Sequence, residues 1–441
     1  MTAACANPPP KVGEAGTIEG FLGAAISEEP RAALVARDVL SAGGSAADAA
    51  AAAYFAMSVT YPVAVGLGGG GVCLYYDRRA NKTETLDFRV KAAVGGGAMG
   101  VPGAVRGIAL LHSRYGRLPW AQLVAPAETM ARFGHQISRA LAKRLAPQAG
   151  RLAQNIDAAR IFLHGDGTPL GEAETVVQVE LASVLTRIRT QGVSDLYGGE
   201  AGRQLIQAGA DHGGKANIVD LRKYRAVWRE TAKRKIGNHI LHHPVLNSGE
   251  NKGTKLTALL ATSSPSPSVA VAEVFGSAAL AGPADRGEAA IVIGDSFGSS
   301  AACVFAMNGA FGSGLMVPGL GVFLAPSVSA DDTGANEATD GHLLPLLGVN
   351  DPLNQTVLAA AGSGGPAGAV AAVFLALAVM DNGATLAQAV AATGRLGAVG
   401  NGQLRAPVQA LWCPNGLRIT PKSCRFATDP KGHGLAAFDK F

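Results

Sequence analysis

The chain has 441 residues, of which 48% are hydrophobic and 16% charged, and its formal net charge is +5. This composition is typical of a globular protein with a large core and excludes a disordered chain. Lysine and arginine are scattered and form no run longer than "RKYR" or "KRK", so we expect no nucleic-acid partner. The longest apolar stretch, residues 367–380, is too short for a membrane span and predicts a buried helix.

The first residues, "MTAACANPPP", contain small residues leading into Cys5 and then a proline-rich segment. They resemble the end of a lipoprotein processing site, although the apolar stretch that precedes such sites is not in the sequence. Either the protein is exported to the periplasm and lipid-anchored through Cys5, or residues 1–19 are an ordinary tail of a cytoplasmic protein. We expect the first, with the lipid as its only link to a membrane.

The chain has five cysteines. Cys413 and Cys424 flank "PNGLRITPKS", a hairpin that a disulfide closes if the compartment is oxidising and that otherwise carries two thiols. Cys73 and Cys303 lie inside apolar strand patterns, where we expect buried, inert thiols.

Two helices are predicted near the start of the chain. The first runs from Arg31 to Ala42 and is stopped by two glycines, and Ser45 caps an alanine-rich second helix that ends before Pro62. The second helix is apolar nearly all round, which predicts burial between other layers. The four glycines that follow, residues 68–71, lead into a strand rather than a helix, which disfavours a phosphate-binding loop.

The remaining pattern alternates blocks of helices with hairpins. Residues 101–224 are mainly helical, a hairpin follows at 232–245, and "EAAIVIGD" and "SAACVFAM" predict adjacent central strands. Blocks of this kind favour antiparallel sheets covered by helices on both faces. No interior linker divides the chain, so we expect one domain over residues 20–441.

Several segments in this order resemble the γ-glutamyltranspeptidase family. They include "GGSAADAAAAAYFAMSVTYPVAVGLGGGGVCLYYD", "LDFR", "FGSGLMVPGLGVFL" and "AGSGGPAG", and the resemblance covers roughly residues 20 to 400. It implies the α/β four-layer αββα sandwich of N-terminal-nucleophile hydrolases, with residues 20–286 like the large subunit and 287–441 like the small one. The family's proenzyme cuts itself before a threonine, which then attacks a γ-glutamyl amide without metal or cofactor.

The resemblance also implies roles for single residues. Arg89 would hold the glutamyl carboxylate, Asn308 with Asp331 and Asp332 its amine, and the N–H groups of Gly364 and Gly365 the oxyanion. From the residues alone, Arg89 could equally form a surface ion pair, and Asn308 and the glycines could simply form turns.

No residue of this sequence corresponds to the family's catalytic threonine when the motifs are matched. Anchoring on Asn308 and "FGSG" places Asp295 on the family's aspartate, Gly298 on its turn glycine and Glu288 at the nucleophile position. A carboxylate cannot perform the acyl shift that cleaves the proenzyme. The segment before residue 287 is also shorter than in the family, and "LLPLLGVN" replaces its paired serines. We therefore expect an uncleaved chain whose pocket is closed by Glu288 paired with Arg89.

Three functions compete. The first is a non-catalytic protein that binds a protein partner or is a structural subunit of a larger assembly. The second is an active γ-glutamyl transferase or hydrolase of glutathione-like compounds that uses another nucleophile, Ser263 or Ser264. The third is a protein that binds a glutamyl small molecule in the remnant pocket.

Overall fold

The polypeptide alternates helical blocks with β-hairpins, as the pattern predicts. The computed structural model describes residues 22–246, 251–263, 265–281, 285–327, 341–393 and 406–438. The strands in chain order are β1 (Gly23–Ser27), β2 (Gly70–Asp77), β3 (Lys82–Asp87), β4 (Lys91–Ala92), β5 (Gly100–Val101), β6 (His135–Gln136), β7 (Thr175–Val176), β8 (Val227–Arg229), β9 (Thr231–Ile236), β10 (His239–Pro244), β11 (Glu288–Asp295), β12 (Ser300–Ala306), β13 (Met316–Val317), β14 (Val322–Phe323), β15 (Leu346–Asn350), β16 (Gln355–Gly362), β17 (Val408–Trp412), β18 (Arg425–Thr428) and β19 (Leu435–Phe438). The α-helices are α1 (Pro30–Ser41), α2 (Ala46–Thr60), α3 (Ala104–Tyr115), α4 (Trp120–Phe133), α5 (Arg139–Leu145), α6 (Ala149–Leu152), α7 (Ile156–Phe162), α8 (Val179–Gln191), α9 (Ser194–Gly198), α10 (Glu200–Ala210), α11 (Ile218–Lys223), α12 (Lys252–Thr262), α13 (Pro267–Phe275), α14 (Pro366–Met380) and α15 (Leu386–Thr393).

Two stacked sheets form the centre of the protein. The first has the strand order β19-β1-β11-β12-β2-β3-β8 and the second the order β18-β17-β16-β15-β10-β9. Apolar side chains such as Val292, Val304 and Leu347 fill the space between them. Helices α1, α2 and α3 pack on the outer face of the first sheet, and α12, α14 and α15 on that of the second. The predicted αββα sandwich is confirmed.

The central hairpin lies where the sequence predicts it. Strands β11 and β12 are adjacent and antiparallel, with Glu288 opposite Ala306 and Gly294 opposite Ser300, and every residue of both strands is buried. Branched and small apolar residues alternate along them, which suits strands covered on both faces. Glu288 therefore begins a central strand.

Helix α2 is the buried helix that its all-apolar sequence predicts. Ser45 caps it and shares a reciprocal capping box with Asp48, and all of its residues are buried. Reciprocal caps satisfy backbone N–H groups that would otherwise be costly to bury. Within the described ranges, no helix combines the length and the apolar character needed to cross a bilayer.

Two disulfides connect the strands. Cys413 and Cys424 are bonded and close the loop between β17 and β18. Cys73 of β2 and Cys303 of β12 face each other across the first sheet and are also bonded. The prediction of inert thiols at Cys73 and Cys303 was therefore wrong, because the register of the two strands places their sulfur atoms side by side.

Candidate functional site

Glu288 is held at the head of β11 by an unusual backbone. Gly287, just before it, has a φ of +64°, and a Cβ there would lie 1.9 Å from the carbonyl oxygen of Gly309. Only glycine fits that position without moving backbone atoms. The Gly287 carbonyl accepts a hydrogen bond of 2.8 Å from the Met307 N–H, so the chain enters the strand already paired.

The carboxylate of Glu288 has three hydrogen-bond donors. The backbone N–H groups of Gly364 and Gly365 donate to Oε2 at 3.0 and 2.7 Å, and His342 Nε2 lies 2.7 Å from Oε1. Both glycines have positive φ, +92° and +76°, which turns their N–H groups towards one oxygen. The two N–H groups that the family resemblance assigns to an oxyanion thus bind a side chain of this protein.

The surroundings of Glu288 favour its ionised form. Burial by itself would raise the pKa of this carboxyl, but the charge and hydrogen bond of His342 and the N–H of Gly365 outweigh burial. The pKa therefore lies below the ordinary value of 4.5. An ionised carboxylate only accepts hydrogen bonds, so His342 Nε2 carries the proton between them.

Arg144 of α5 clamps the segment on both sides of the bond between residues 287 and 288. Its guanidinium makes a two-pronged ion pair with Asp285, at 2.7 and 2.5 Å, and donates to the Glu288 carbonyl at 3.0 Å. It also donates to the Tyr61 hydroxyl at 3.1 Å. A buried two-pronged pair fixes geometry strongly, so the two sides of this peptide bond are held together by one side chain.

A second buried carboxylate lies beside the first. Glu28 accepts hydrogen bonds from the Ser363 hydroxyl at 2.5 Å and from the Ala290 N–H at 2.9 Å. Sequence reasoning missed Glu28, Arg144 and His342. The only signal was the presence of single polar residues next to apolar runs, and such residues are far more often surface or capping groups.

The space left at this site is very small. The cavity has a volume of about 10 Å³, which is about the space of one water molecule. Its lining consists of Glu28, Arg144, Asp285, Arg286, Glu288, Ser363, Gly364 and Pro407. Among the described residues, the cavity beside Glu288 thus has space for about one water molecule and not for a glutamyl group.

Arg89 lies at the same end of the first sheet but is not a partner of Glu288. Its guanidinium pairs with Asp87 at 3.0 Å and donates to the Leu246 carbonyl at 3.0 Å. Strands β12 and β2 lie between the two residues. The predicted pairing of Glu288 with Arg89 was wrong, because His342 and two N–H groups satisfy the carboxylate and Asp87, two residues away, holds the arginine.

The other predicted site residues are placed as follows. Asn308 lies two residues past the partner of Glu288 in β12, with a φ of +57° and its Nδ2 3.4 Å from the Pro326 carbonyl. Ser263 is exposed at the end of α12, where its hydroxyl donates to the Leu259 carbonyl, and it does not head a strand. Asp331, Asp332, Ser264 and Cys5 lie outside the described residues.

Within the described ranges, neither a metal-binding cluster nor the family's paired serines are found. No group of three or more His, Cys, Asp or Glu side chains there is arranged to hold a metal ion. Leu343 and Leu344, in the region where the family resemblance implies paired serines, are buried apolar residues.

Comparison with known proteins identifies relatives over the first part of the chain. The model of the family described as Gamma-glutamyltranspeptidase matches residues 32–262. The glutathione hydrolase proenzyme of Bacillus subtilis (strain 168) is 31% identical over 224 residues, 46% of this chain and 38% of that protein. That of Escherichia coli (strain K12) is 32% identical over 228 residues, 47% of this chain and 39% of that protein. The matched region thus spans well under half the length of these relatives, and the family match ends before Glu288.

A solved structure is similar over the whole fold. The crystal structure of cephalosporin acylase from Bacillus halodurans superimposes with a TM-score of 0.74 over 100% of both chains, at 18% identity. At this identity the likeness shows the fold alone.

Proposed function

The chain belongs to the γ-glutamyltranspeptidase family, and from that premise we propose that it is an uncleaved, non-catalytic member in which Glu288 fills the catalytic pocket. The observation that carries this proposal is the pair of hydrogen bonds from Gly364 and Gly365 to the Glu288 carboxylate. An oxyanion site acts by offering free donors to the charge that develops in the transition state. Here an internal anion already occupies those donors.

Two further features support the absence of γ-glutamyl transfer. Glu288 at the head of the strand offers no hydroxyl or amine for nucleophilic attack, and the buried, ionised carboxylate would have to be displaced before a substrate carbonyl could enter. The cavity of about 10 Å³ also leaves no room for that substrate. In hydrolases that lack a member of their catalytic triad, the remaining site supplies acceleration of order 10³–10⁴ over water, so an already occupied site should supply less.

The proposal that the chain stays uncleaved is supported by the backbone around residue 287. The Gly287 carbonyl is paired with the Met307 N–H, so it does not point to the oxyanion donors that self-cleavage would need. Arg144 binds Asp285 before this bond and Glu288 after it. These contacts fix the backbone on both sides of the bond between residues 287 and 288, which self-cleavage would have to break.

For the role that remains, we propose binding to a protein partner, or a structural place in a larger assembly, outside the cytoplasm. The two disulfides support an exported protein, because such bonds persist mainly in oxidising compartments. Because Glu288 fills the pocket while the core is retained, the outer surface of the protein is the part that remains for binding a partner.

The test combines intact mass with an activity assay on the purified full-length chain. We expect a single unbroken species of about 44.6 kDa before any lipidation, and no turnover of a γ-glutamyl anilide above buffer. The glutathione hydrolase of E. coli, assayed alongside, controls for the assay. Two fragments together with turnover that Ser263→Ala abolishes would contradict the proposal and restore the alternative nucleophile.

Calorimetry separates a closed pocket from a glutamyl-binding one. Neither glutamate nor glutathione should bind the native protein, because Glu288 would repel their carboxylates at short range. Glu288→Thr serves as the matched variant with a shorter, uncharged side chain. Tight binding of either compound to the native protein would favour a glutamyl-binding protein instead.

A further inference from the structure

The end of the sandwich opposite Glu288 carries three exposed apolar side chains on three different loops. Phe297 lies in the β11–β12 turn and is 37% exposed, Leu353 lies in the β15–β16 turn and is 53% exposed, and Ile419 lies in the β17–β18 loop and is 58% exposed. We call the surface formed by these three residues and by Arg78, Arg79, Arg117 and Arg418 the turn-tip face. Grouped apolar side chains on a surface mark an interaction site more often than scattered ones do.

Contacts between the loops show that they form one surface. The Thr356 hydroxyl donates to the Gly298 carbonyl, which links the turn of Phe297 to that of Leu353. Gln355 links the turn of Leu353 to the loop of Ile419, because its side chain donates to the Leu353 carbonyl and accepts from the Arg418 N–H.

The loops are also held rigidly. Asp295 accepts hydrogen bonds from the N–H groups of Phe297 and Ser299, at 3.0 and 2.9 Å, which fixes the first turn. The Cys413–Cys424 disulfide closes the loop that carries Ile419. Fixed loops keep their apolar side chains pointing outwards, so little ordering entropy is lost when a partner binds.

The same surface is positively charged. Two arginines pack against the β11–β12 turn. The Arg117 guanidinium lies 3.5 Å from the centre of the Phe297 ring. The Arg78 side chain packs against Gly298, with its Cδ 2.5 Å from the position of a Cβ built on that glycine. Arg418 and Lys422 lie in the β17–β18 loop, Arg78 and Arg79 in the neighbouring β2–β3 turn and Arg117 between α3 and α4, and the acidic residues beside them that are not fully buried are Asp77 and Asp351. The excess of arginine predicts an anionic partner.

The N-terminal segment joins the domain at this end. Strand β1 begins at Gly23, which pairs with Asp295 beside the turn of Phe297. Sixteen residues separate Cys5 from Leu22, the first described residue. Fully extended they would reach roughly 50 Å, so a lipid on Cys5 would connect the chain to a membrane from the end that carries the turn-tip face.

We propose that the turn-tip face docks on an anionic phospholipid membrane. The three apolar side chains lie at the level of the headgroups and the arginines pair with lipid phosphates. Docking in this orientation leaves the Glu288 end directed away from the bilayer. The proposal does not depend on whether the pocket is catalytic.

The test is flotation of the full chain with vesicles, using a Cys5→Ser background so that no lipid anchor contributes. We expect binding to vesicles of phosphatidylglycerol and phosphatidylcholine in equal parts, weakened by high salt, and little binding to phosphatidylcholine alone. The combined variant Phe297→Ser, Leu353→Ser and Ile419→Ser should lower the partition coefficient by about tenfold or more, since each side chain loses its buried hydrocarbon. Arg79→Glu with Arg418→Glu should lower it similarly.

Phe133→Ser is the matched control. Phe133 is 76% exposed and ends α4, whose Ala131 carbonyl accepts from the Gln178 N–H. The Gln178 side chain donates to the Val59 carbonyl, which lies at the far end of α2 from Asp295. This variant should bind vesicles like the parent, and circular dichroism should show the parent's secondary structure in every variant, because the changed side chains lie in loops or at a helix end. No flotation of the parent with anionic vesicles, or unchanged flotation of the triple variant, overturns the proposal. Equal retention of parent and triple variant on heparin, without flotation, would show a general polyanion site and overturns it as well.

Discussion

The Glu288 carboxylate should stabilise the folded protein by an amount that depends on pH. Its folded-state pKa lies below 4.5, so its contribution is fully present above that pH and is lost as the pH falls through the lower folded value. Glu288→Gln lacks this charge. We expect the variant to be less stable than the parent at neutral pH and the difference to shrink as the pH falls below 4.5, measured by urea unfolding at several pH values.

Glu288→Ala is the matched comparison for that experiment. It leaves His342 and the two glycine N–H groups without their acceptor, and each such buried group costs about 1–3 kcal/mol. The alanine variant should therefore be less stable than the glutamine variant at neutral pH. A difference between parent and Glu288→Gln that stays constant with pH would contradict the ionised, hydrogen-bonded carboxylate described above.

At this scale the sequence predicts motif residues better than their partners. The predicted motif residues meet at one end of the sandwich because their motifs occur along the chain in the order that the family resemblance implies. These residues are Glu288, Asn308, Gly364 and Gly365. The side chains around Glu288 that were not predicted come from distant positions: His342, which binds its carboxylate, is 54 positions away, Arg144, which binds its carbonyl, is 144 away, and the neighbouring Glu28–Ser363 bond spans 335. No local pattern sets such long-range pairings, whereas Arg89 is held by Asp87 only two residues away, a local partner that the predicted pairing with Glu288 left out.

Between elements, Asp295 is the side chain that joins the central hairpin to α2. It ends β11 and accepts hydrogen bonds from the N–H groups of Ala46, Phe297 and Ser299, at 2.9, 3.0 and 2.9 Å. Asp295→Ala would leave these donors unpaired in a buried place. We expect a loss of about 3 kcal/mol or more in the free energy of unfolding, measured by urea denaturation.

The control for Asp295 is a similar turn at the surface. Asp77→Ala removes a side chain that accepts from the Arg79 N–H at 2.9 Å in an exposed turn, where water can replace it. Its cost should be within about 1 kcal/mol. Equal losses from the two variants would mean that Asp295 does not join the hairpin to α2 in the way the hydrogen bonds indicate.

Element boundaries were largely predictable because their signals are local. The Ser45 cap, the two glycines after the first helix and the all-apolar pattern of α2 and α14 are each contained within a few residues. Register between strands is not a local property, since shifting a strand by one residue changes every cross-strand pair. The Cys73–Cys303 bond depends on that register and could not be inferred from the apolar pattern around each cysteine.

Across the whole molecule, similarity in sequence and similarity in fold have different extents. The family match ends at residue 262, whereas the likeness to the cephalosporin acylase covers the full chain. The sandwich therefore persists through the part where family sequence is no longer matched. Core burial needs only apolar side chains of suitable size, so a chain can keep this fold while its site residues change.

The two disulfides should stabilise the fold by different amounts. The cysteines of one bond are 230 positions apart and those of the other 11 apart, so the first closes the much longer loop in the unfolded chain. In the chain-entropy model, loops of these lengths contribute about 5 and 3 kcal/mol, respectively. Reducing both bonds should therefore lower the free energy of unfolding, with the larger share from Cys73–Cys303. Alkylation of the denatured, unlipidated chain should attach one label before reduction and five after it, since five cysteines are present and four are bonded. Five labels before reduction on protein isolated from the periplasm would contradict both bonds and remove the main structural support for export.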